Sequence, residues 1–155
     1  FNPQPGDRFA WYAPIIWSSE ELESQGAGMG QLIIKAAEKE LITRGYHVVA
    51  DKRNADFILG AAVIGDSGER ADALRDFFQL FPQVAKAANG YDKATTVMAV
   101  IPSKQNSVQN RAAPDRQSVL WRAGLETYVL GEKLTPEMRE LRVQAFIQTL
   151  MSSLP

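Results

Sequence analysis

Three stretches of the chain repeat apolar residues at the spacing of an α-helix. The first begins at Met29 and ends before Gly45, with charged residues on the face opposite the apolar ones. The second covers residues 69–81, and the third begins at Thr135, with Pro136 in the first helical position. The pattern therefore predicts three helices, the last of which continues almost to the end of the chain.

Five further stretches are typical of β-strands because they are short and rich in β-branched and aromatic residues. They cover residues 8–12, 46–50, 55–65, 94–101 and 118–130. The stretches 55–65 and 94–101 are apolar on both faces, which predicts strands buried inside a sheet. Residues 18–30 are polar and rich in glycine, which predicts a loop.

In chain order these elements read β-α-β-β-α-β-β-α. A helical crossover between the first two strands predicts that they are parallel, and each adjacent pair of strands predicts an antiparallel hairpin. The simplest fold with this order of elements is an α+β fold, and we predict a mixed β-sheet of about five strands with two to three helices packed mainly on one face.

The length of 155 residues predicts one domain. Pro3, Pro5 and Gly6 precede the first apolar run, so we expect residues 1–7 to be an N-terminal tether and residues 8–155 a single α+β domain. The chain begins at Phe1, and we expect any signal peptide to lie upstream of it.

Composition restricts the chemistry that the chain can perform. The absence of cysteine and the presence of only one histidine exclude thiol nucleophiles, disulfides and metal sites built from several histidines. A formal net charge of −1 argues against general binding to nucleic acid or to membrane surfaces. We therefore predict no cofactor, no metal site and no enzymatic activity.

Two patterns could indicate a ligand site or a catalytic site. The glycine-rich run at residues 26–30 could cradle a phosphate, but no buried strand leads into it and no Gly-Lys-Ser/Thr sequence follows, so we expect a helix lead-in. His47 could act as a base oriented by Asp51 on the same strand face, but no nucleophile is placed beside them, so we expect an exposed strand histidine. Asp51, Asp56 and Asp66 lack calcium-loop spacing and are predicted to be solvated residues at strand ends.

An aromatic cluster in the second predicted helix is one candidate partner surface. It consists of Phe77, Phe78 and Phe81. Aromatic residues supply large buried areas, so the cluster could belong to the core between helix and sheet. A helical stripe cannot bury all three rings equally, however, which favours a partner surface as the alternative.

A second candidate partner surface is the long predicted loop over residues 103–117. It contains Lys104, Arg111 and Arg116 and carries a net charge of +2. Structureless connections of this length are uncommon in compact domains and are either functional or disordered. The loop could therefore meet an anionic partner, or it could be a mobile hairpin tip.

Four short motifs carry a resemblance to a known family. They are Phe9-Ala10-Trp11, Arg44-Gly45-Tyr46, Ala55-Asp56-Phe57 and Leu120-Trp121-Arg122-Ala123-Gly124. With these motifs, the chain resembles bacterial lipoproteins of the domain-of-unknown-function 4136 type over nearly its whole length. The first helix, Gly45 and the strand after Ala55 are more distantly similar to small α/β domains of envelope accessory lipoproteins.

The resemblance implies secretion, N-terminal lipidation and attachment to the cell envelope, and it brings no catalytic positions. We therefore expect a non-enzymatic accessory module in the periplasm, tethered to the bacterial outer membrane and acting through protein contacts. The expected partner is another envelope protein. We expect membrane contact only through an N-terminal lipid anchor outside this chain, and no contact with nucleic acid. The alternative is a periplasmic domain that binds a small ligand or glycan through the 103–117 loop.

Overall fold

The computed structural model describes residues 1–26, 28–65, 94–103, 119–127 and 135–155. Within these ranges the strands are β1 (Arg8–Trp11), β2 (Ile16–Trp17), β3 (His47–Val48), β4 (Phe57–Ile64), β5 (Ala94–Pro102) and β6 (Trp121–Thr127). The helices are α1 (Glu20–Gln25), α2 (Met29–Thr43) and α3 (Pro136–Leu150), and a 3₁₀ turn covers Lys52–Asn54. No helix among the described residues is long and apolar enough to cross a membrane. The predicted helix over residues 69–81 lies outside the described ranges.

The described strands form one mixed sheet. Its order is β3-β1-β4-β5-β6, and β2 also pairs with β4. β1 is parallel to β3 and to β4, and β2 is parallel to β4, whereas β5 is antiparallel to both β4 and β6. The α+β prediction is thereby confirmed, as are the parallel pairing of the first two predicted strands and the antiparallel pairing of the last two.

The hairpin predicted between residues 46–50 and 55–65 is wrong. β3 and β4 lie on opposite sides of β1, and each is parallel to it. The two strands differ in how much they can bury: β3 has two incompletely buried residues, whereas β4 is buried from Ile58 to Ile64. A short strand that is partly exposed to solvent is favoured at the edge of a sheet, and a strand with two apolar faces is favoured at its centre. β3 therefore lies at the edge and β4 at the centre, with β1 between them.

β1 and β2 together follow one side of β4. Trp11 pairs with Leu59, and the pairing resumes where Ile16 meets Ala62. Residues 12–15 therefore oppose only the two residues between Leu59 and Ala62, so the chain bulges away from β4 before it returns. Proline within this segment, which cannot donate to a strand ladder, accounts for the interruption and for the absence of a strand prediction here.

α2 and α3 pack side by side on one face of the sheet. Their buried residues meet Phe9, Leu59 and Met98 of the strands; on the helices they are Ile33, Ala37, Leu41, Val143, Ile147 and Leu150. The opposite face carries a second apolar cluster that includes Ala10, Ile58, Ala62, Val97 and Ala99. β4 and β5 are therefore apolar on both faces, as their sequences predict.

Residues 1–7 contact the domain. The Phe1 ring packs edge-on against Phe57 with centroids 5.1 Å apart, and the Gly6 amide donates to the Gly45 carbonyl at 2.9 Å. Gly45 follows α2 with a φ of +87°, and a Cβ there would lie 3.4 Å from Pro5 Cβ, so both the backbone conformation and the close approach favour glycine. The N-terminal tether stays a prediction.

Candidate functional site

An open groove of about 480 Å³ lies where β2, α1 and the first turns of α2 meet. It is lined by Pro14, Ile15, Trp17, Glu20, Glu23, Ser24, Gly26, Gly28, Gly30, Gln31 and Ile34. Binding sites are typically concave and mostly apolar, with a few polar groups that orient the ligand. The groove is concave, but its lining mixes apolar side chains with glycines and an equal share of polar groups; we take it as the candidate site because it is concave and offers polar groups that could orient a ligand.

Two buried serines fix the wall that α1 contributes to the groove. Ser18 accepts a hydrogen bond from the Gly65 amide at 2.8 Å, and its own amide donates to the Val63 carbonyl at 3.0 Å. The Ser19 side chain caps α1 by accepting from the Leu22 amide at 3.1 Å. The loop predicted for residues 18–30 is therefore wrong in part, because a capping serine followed by acidic residues at the positive end of the helix dipole starts a short helix.

The glycine-rich run connects α1 to α2, which confirms the predicted helix lead-in. Gly26 closes α1 by donating to the Leu22 carbonyl at 3.0 Å. Gly28 is the N-cap of α2 with a φ of +81° and offers no side chain to the helix start. Gly30 lies against the indole of Trp17, since a Cβ at Gly30 would be 3.7 Å from Trp17 Nε1.

The three tryptophans of the chain differ in what their indole N–H groups meet. Trp11 Nε1 donates to Glu38 Oε1 at 3.0 Å, and Trp121 Nε1 donates to Ser153 Oγ at 3.0 Å. Trp17 is 4% exposed, and its Nε1 makes no hydrogen bond to the described residues; the atom is open to the groove, since the fully buried side-chain atom without a partner among these residues is Thr95 Oγ1. This nitrogen lies beside Gly30, and both residues line the groove. The groove therefore contains a donor without a described acceptor.

The charged residues that line the groove are acidic. Glu20 and Glu23 are exposed on α1, and none of the described lining residues is basic. The start of α2 favours a negative partner through its backbone N–H groups, but the exposed carboxylate of Glu20 at the same site opposes one. This arrangement disfavours a phosphate ligand and favours neutral acceptors and cations.

The side chains predicted to form partner surfaces lie outside the described residues; they are Phe77, Phe78, Phe81, Lys104, Arg111 and Arg116. Both surfaces stay predictions.

The other residues considered as a catalytic or metal site are His47, Asp51 and Asp66. His47 is exposed on β3, as predicted, but β3 ends at Val48, so the expectation that Asp51 shares its strand face is wrong. Asp51 instead caps the 3₁₀ turn, and hydrogen bonds from Arg53 lower the pKa of its carboxyl group. Asp66 lies outside the described residues, and no cluster of three potential metal ligands occurs within them.

Asp56 forms hydrogen bonds with Arg8 of β1, so the prediction that it is a solvated residue at a strand end is wrong. Its Oδ2 accepts from the Arg8 amide at 2.9 Å and from Arg8 Nε at 3.2 Å, and Oδ1 accepts from Nη2 at 3.3 Å. The carboxylate therefore joins the start of β1 to the start of β4. The same hydrogen bonds raise the pKa of the Arg8 guanidinium.

Known structures are similar to this fold. No protein-family model matches the chain, and no curated protein matches it. A DUF4136 family protein from Bacteroides thetaiotaomicron VPI-5482 is similar over 96% of this chain and 87% of its own, with a TM-score of 0.56 and 16% identity. The chain has the fold of a DUF4136 family protein. The resemblance predicted from the motifs is thereby confirmed at the level of the fold.

Two structures of the PelC dodecamer from Paraburkholderia phytofirmans are also similar. A PelC variant matches 96% of this chain and 87% of its own, at 15% identity and a TM-score of 0.48. The second PelC structure matches 97% of this chain and 89% of its own, at 14% identity and a TM-score of 0.47.

The motif at residues 44–46 holds the C-terminal segment against α2. Arg44 donates to the Met151 carbonyl at 2.9 Å and to the Leu154 carbonyl at 3.3 Å. The Tyr46 hydroxyl donates to the Pro155 carbonyl, and burial raises the pKa of that phenol. These residues carry the family resemblance, and their described contacts are internal to the fold.

Sequence reasoning placed the glycine-rich run correctly but did not identify the groove. Ser19 followed by two glutamates was the available signal, since it is a typical helix start. Recognising α1 would have put two helices around the glycines. The unpaired indole of Trp17 had no signal, because the three tryptophans differ only in their tertiary surroundings.

Proposed function

We propose that this chain is a non-enzymatic accessory module of the bacterial cell envelope that acts through contacts with another protein. The observation that carries the proposal is the fold shared with a DUF4136 family protein over 96% of the chain. The resemblance to bacterial lipoproteins of that type supports an envelope location. The groove between β2, α1 and α2 offers a surface through which such a module could contact a partner.

The surroundings of the polar motif residues support a binding role over catalysis. Asp56 is occupied by Arg8, and Arg44 by Glu40 and by backbone carbonyls near the C-terminus. A catalytic site needs a nucleophile, a base and an orienting group that converge on one reacting atom. Asp56 and Arg44 instead each bind a partner within the fold and stabilise it.

The proposed location is the periplasmic face of the outer membrane. An N-terminal lipid anchor outside this chain would provide the attachment. This part of the proposal rests on the lipoprotein resemblance, and it places residues 1–7 between the anchor and the domain.

Cell fractionation of the intact gene product in its native bacterium tests the proposal. We expect the protein in the outer-membrane fraction, labelled by radioactive palmitate. A photo-crosslinking residue at Gln31, in the groove, should give one discrete adduct with an envelope protein, and the same residue at Lys39, exposed elsewhere on α2, should not. Recovery in the cytosol without a lipid label, or the absence of any adduct, contradicts the proposal.

Binding of a small ligand or glycan is the second candidate function. The groove volume of about 480 Å³ favours it, because small-molecule sites typically span about 300–1,000 Å³. Titration with soluble cell-wall fragments, followed by amide chemical shifts, tests it. Saturable shifts in residues 103–117 support the predicted loop, shifts around Gly30 support the groove, and constant spectra contradict this function.

A further inference from the structure

We propose that the groove binds an extended, basic segment of a partner protein. In this complex a backbone carbonyl of the segment accepts a hydrogen bond from Trp17 Nε1, and a basic side chain lies against Glu20. The inference rests on the proposed function, because it specifies the chemistry of the partner through which the module acts.

The indole of Trp17 supplies the first argument. An indole N–H can only donate a hydrogen bond, so it can bind only a group that brings an acceptor atom. Trp17 is 4% exposed, and its Nε1 has no acceptor among the described residues, whereas the other two indoles each have one. A ligand that brings an acceptor oxygen to the side of Gly30 would satisfy this group.

The position of β2 favours a peptide as the source of that oxygen. Among the described strands β2 pairs only with β4, so the side of β2 that faces away from β4 has no described strand beside it. Unpaired strand edges bind extended peptides through main-chain hydrogen bonds. Pro14, Ile15 and Trp17 lie in or beside β2 and line the groove, so a peptide along β2 would pass the indole.

The acidic side chains determine the charge of the partner. Glu20 is exposed on the groove wall, Glu23 lies one helical turn further along α1, and the described lining residues include no lysine or arginine. An anionic segment would meet the carboxylate of Glu20, whereas a lysine or arginine would gain a favourable contact with it. Ile15 and Ile34 supply apolar surface for the neighbouring residues of the segment.

The three indole N–H signals provide a direct readout by NMR. The probe is a capped hexapeptide of alternating valine and lysine, and the controls are its valine–glutamate counterpart and a tetramer of N-acetylglucosamine. We expect the valine–lysine peptide to shift the Trp17 indole signal saturably, while the signals of Trp11 and Trp121 stay in place. The two controls should leave all three signals unchanged.

Two variants and one matched control locate the binding site. Gly30→Ala places a methyl carbon 3.7 Å from Trp17 Nε1 and should weaken peptide binding about tenfold, the loss expected for one hydrogen bond. Glu20→Gln should weaken binding about threefold, as expected for an exposed ion pair. Glu137→Gln removes an exposed carboxylate from α3, away from the groove, and should leave binding unchanged. An unfolding midpoint no lower than that of the parent protein shows that Gly30→Ala is folded.

Several results would overturn the inference: equal binding of the glutamate peptide, unchanged binding by Gly30→Ala, a Trp17 shift with the glycan alone, or no Trp17 shift with the valine–lysine peptide. The proposed function fails separately. A cytosolic protein whose groove binds the valine–lysine peptide contradicts the function and leaves the groove assignment standing. An outer-membrane protein whose groove does not bind that peptide contradicts the groove assignment and leaves the proposed function standing.

Discussion

Gly28 and Gly30 lie on either side of the first residue of α2, and the lack of a side chain has a different consequence at each position. A Cβ at Gly28 would meet no atom within 4 Å, but its φ of +81° is strained for any residue with a side chain. Gly30 has helical geometry, and a Cβ there would make ordinary contacts at 3.7–3.8 Å. The backbone therefore requires glycine at Gly28, whereas at Gly30 glycine leaves the indole uncovered.

This difference predicts opposite effects of the same substitution. Gly30→Ala should raise the free energy of unfolding by about 0.5 kcal/mol, because alanine loses less backbone entropy in a helix. Gly28→Ala should lower it by about 1 kcal/mol, because left-handed geometry is strained with a Cβ. Urea denaturation of both variants measures the two changes. Equal destabilisation by both would contradict the assignment of their backbone conformations.

Tyr46 provides a prediction at alkaline pH. Burial raises the pKa of its hydroxyl group in the folded state above the ordinary value near 10. The folded state therefore retains the proton more tightly, and the stabilisation is complete below the unfolded pKa and lost as the pH rises through the folded one. Tyr46→Phe should cost about 1 kcal/mol at pH 7 through the lost hydrogen bond.

Thermal unfolding at pH 7 and pH 11 tests this prediction. The parent protein should lose stability between the two values, and Tyr46→Phe should lose less. Tyr12, which is not among the fully buried residues, provides the matched control through Tyr12→Phe. Identical pH dependence in Tyr46→Phe and in the parent would show that this phenol does not control alkaline unfolding.

The elements α2 and α3 are the part of the fold that the sequence predicts best. The predicted stripe of α3 is buried at Val143, Ile147, Leu150 and Leu154, and Thr135 caps the helix by accepting from the Met138 amide at 3.2 Å. Helical periodicity and capping are local properties, so they can be deduced without knowledge of the neighbouring elements. The relative placement of the two helices is not local; Lys35 reaches Glu140 at 2.7 Å only because the helices run parallel.

Burial along α3 predicts a contrast between two alanine substitutions on the same helix. Ile147 is 0% exposed and Leu141 is 65% exposed. Ile147→Ala should cost about 2–5 kcal/mol because it leaves a cavity between helix and sheet. Leu141→Ala should change stability by less than about 0.5 kcal/mol. Denaturant unfolding of both variants tests the orientation of α3, and a large effect of Leu141→Ala would contradict it.

At the scale of the whole molecule, strand order predicts the pattern of hydrogen exchange. β4 is paired along both sides, whereas among the described strands β3 pairs with β1 alone, through two residues. Amides at Leu59 and Val63 should therefore exchange at least about a hundredfold more slowly than the amide of His47, which donates to the Asp7 carbonyl at 2.9 Å, since edge elements open locally with less free energy than central ones. NMR-detected exchange measures these rates, and equal protection of β3 and β4 would contradict the strand order.

Local sequence patterns were enough to assign the class of each long described element and the apolar faces of β4, β5, α2 and α3. Hydrophobic periodicity records which side of a helix or strand is buried, and that side is a property of the segment alone. Gly45 likewise marked the end of α2, although Ser19 was not recognised as the cap of α1.

Long-range contacts place β1 between β3 and β4, continue the sheet along β4 with the two-residue β2, and leave the Trp17 indole beside Gly30 without a described acceptor. These features depend on pairings between residues far apart in the chain. Trp11, Trp17 and Trp121 have the same hydropathy, and their different roles follow from Glu38, Gly30 and Ser153, the residues that the fold brings to each indole nitrogen.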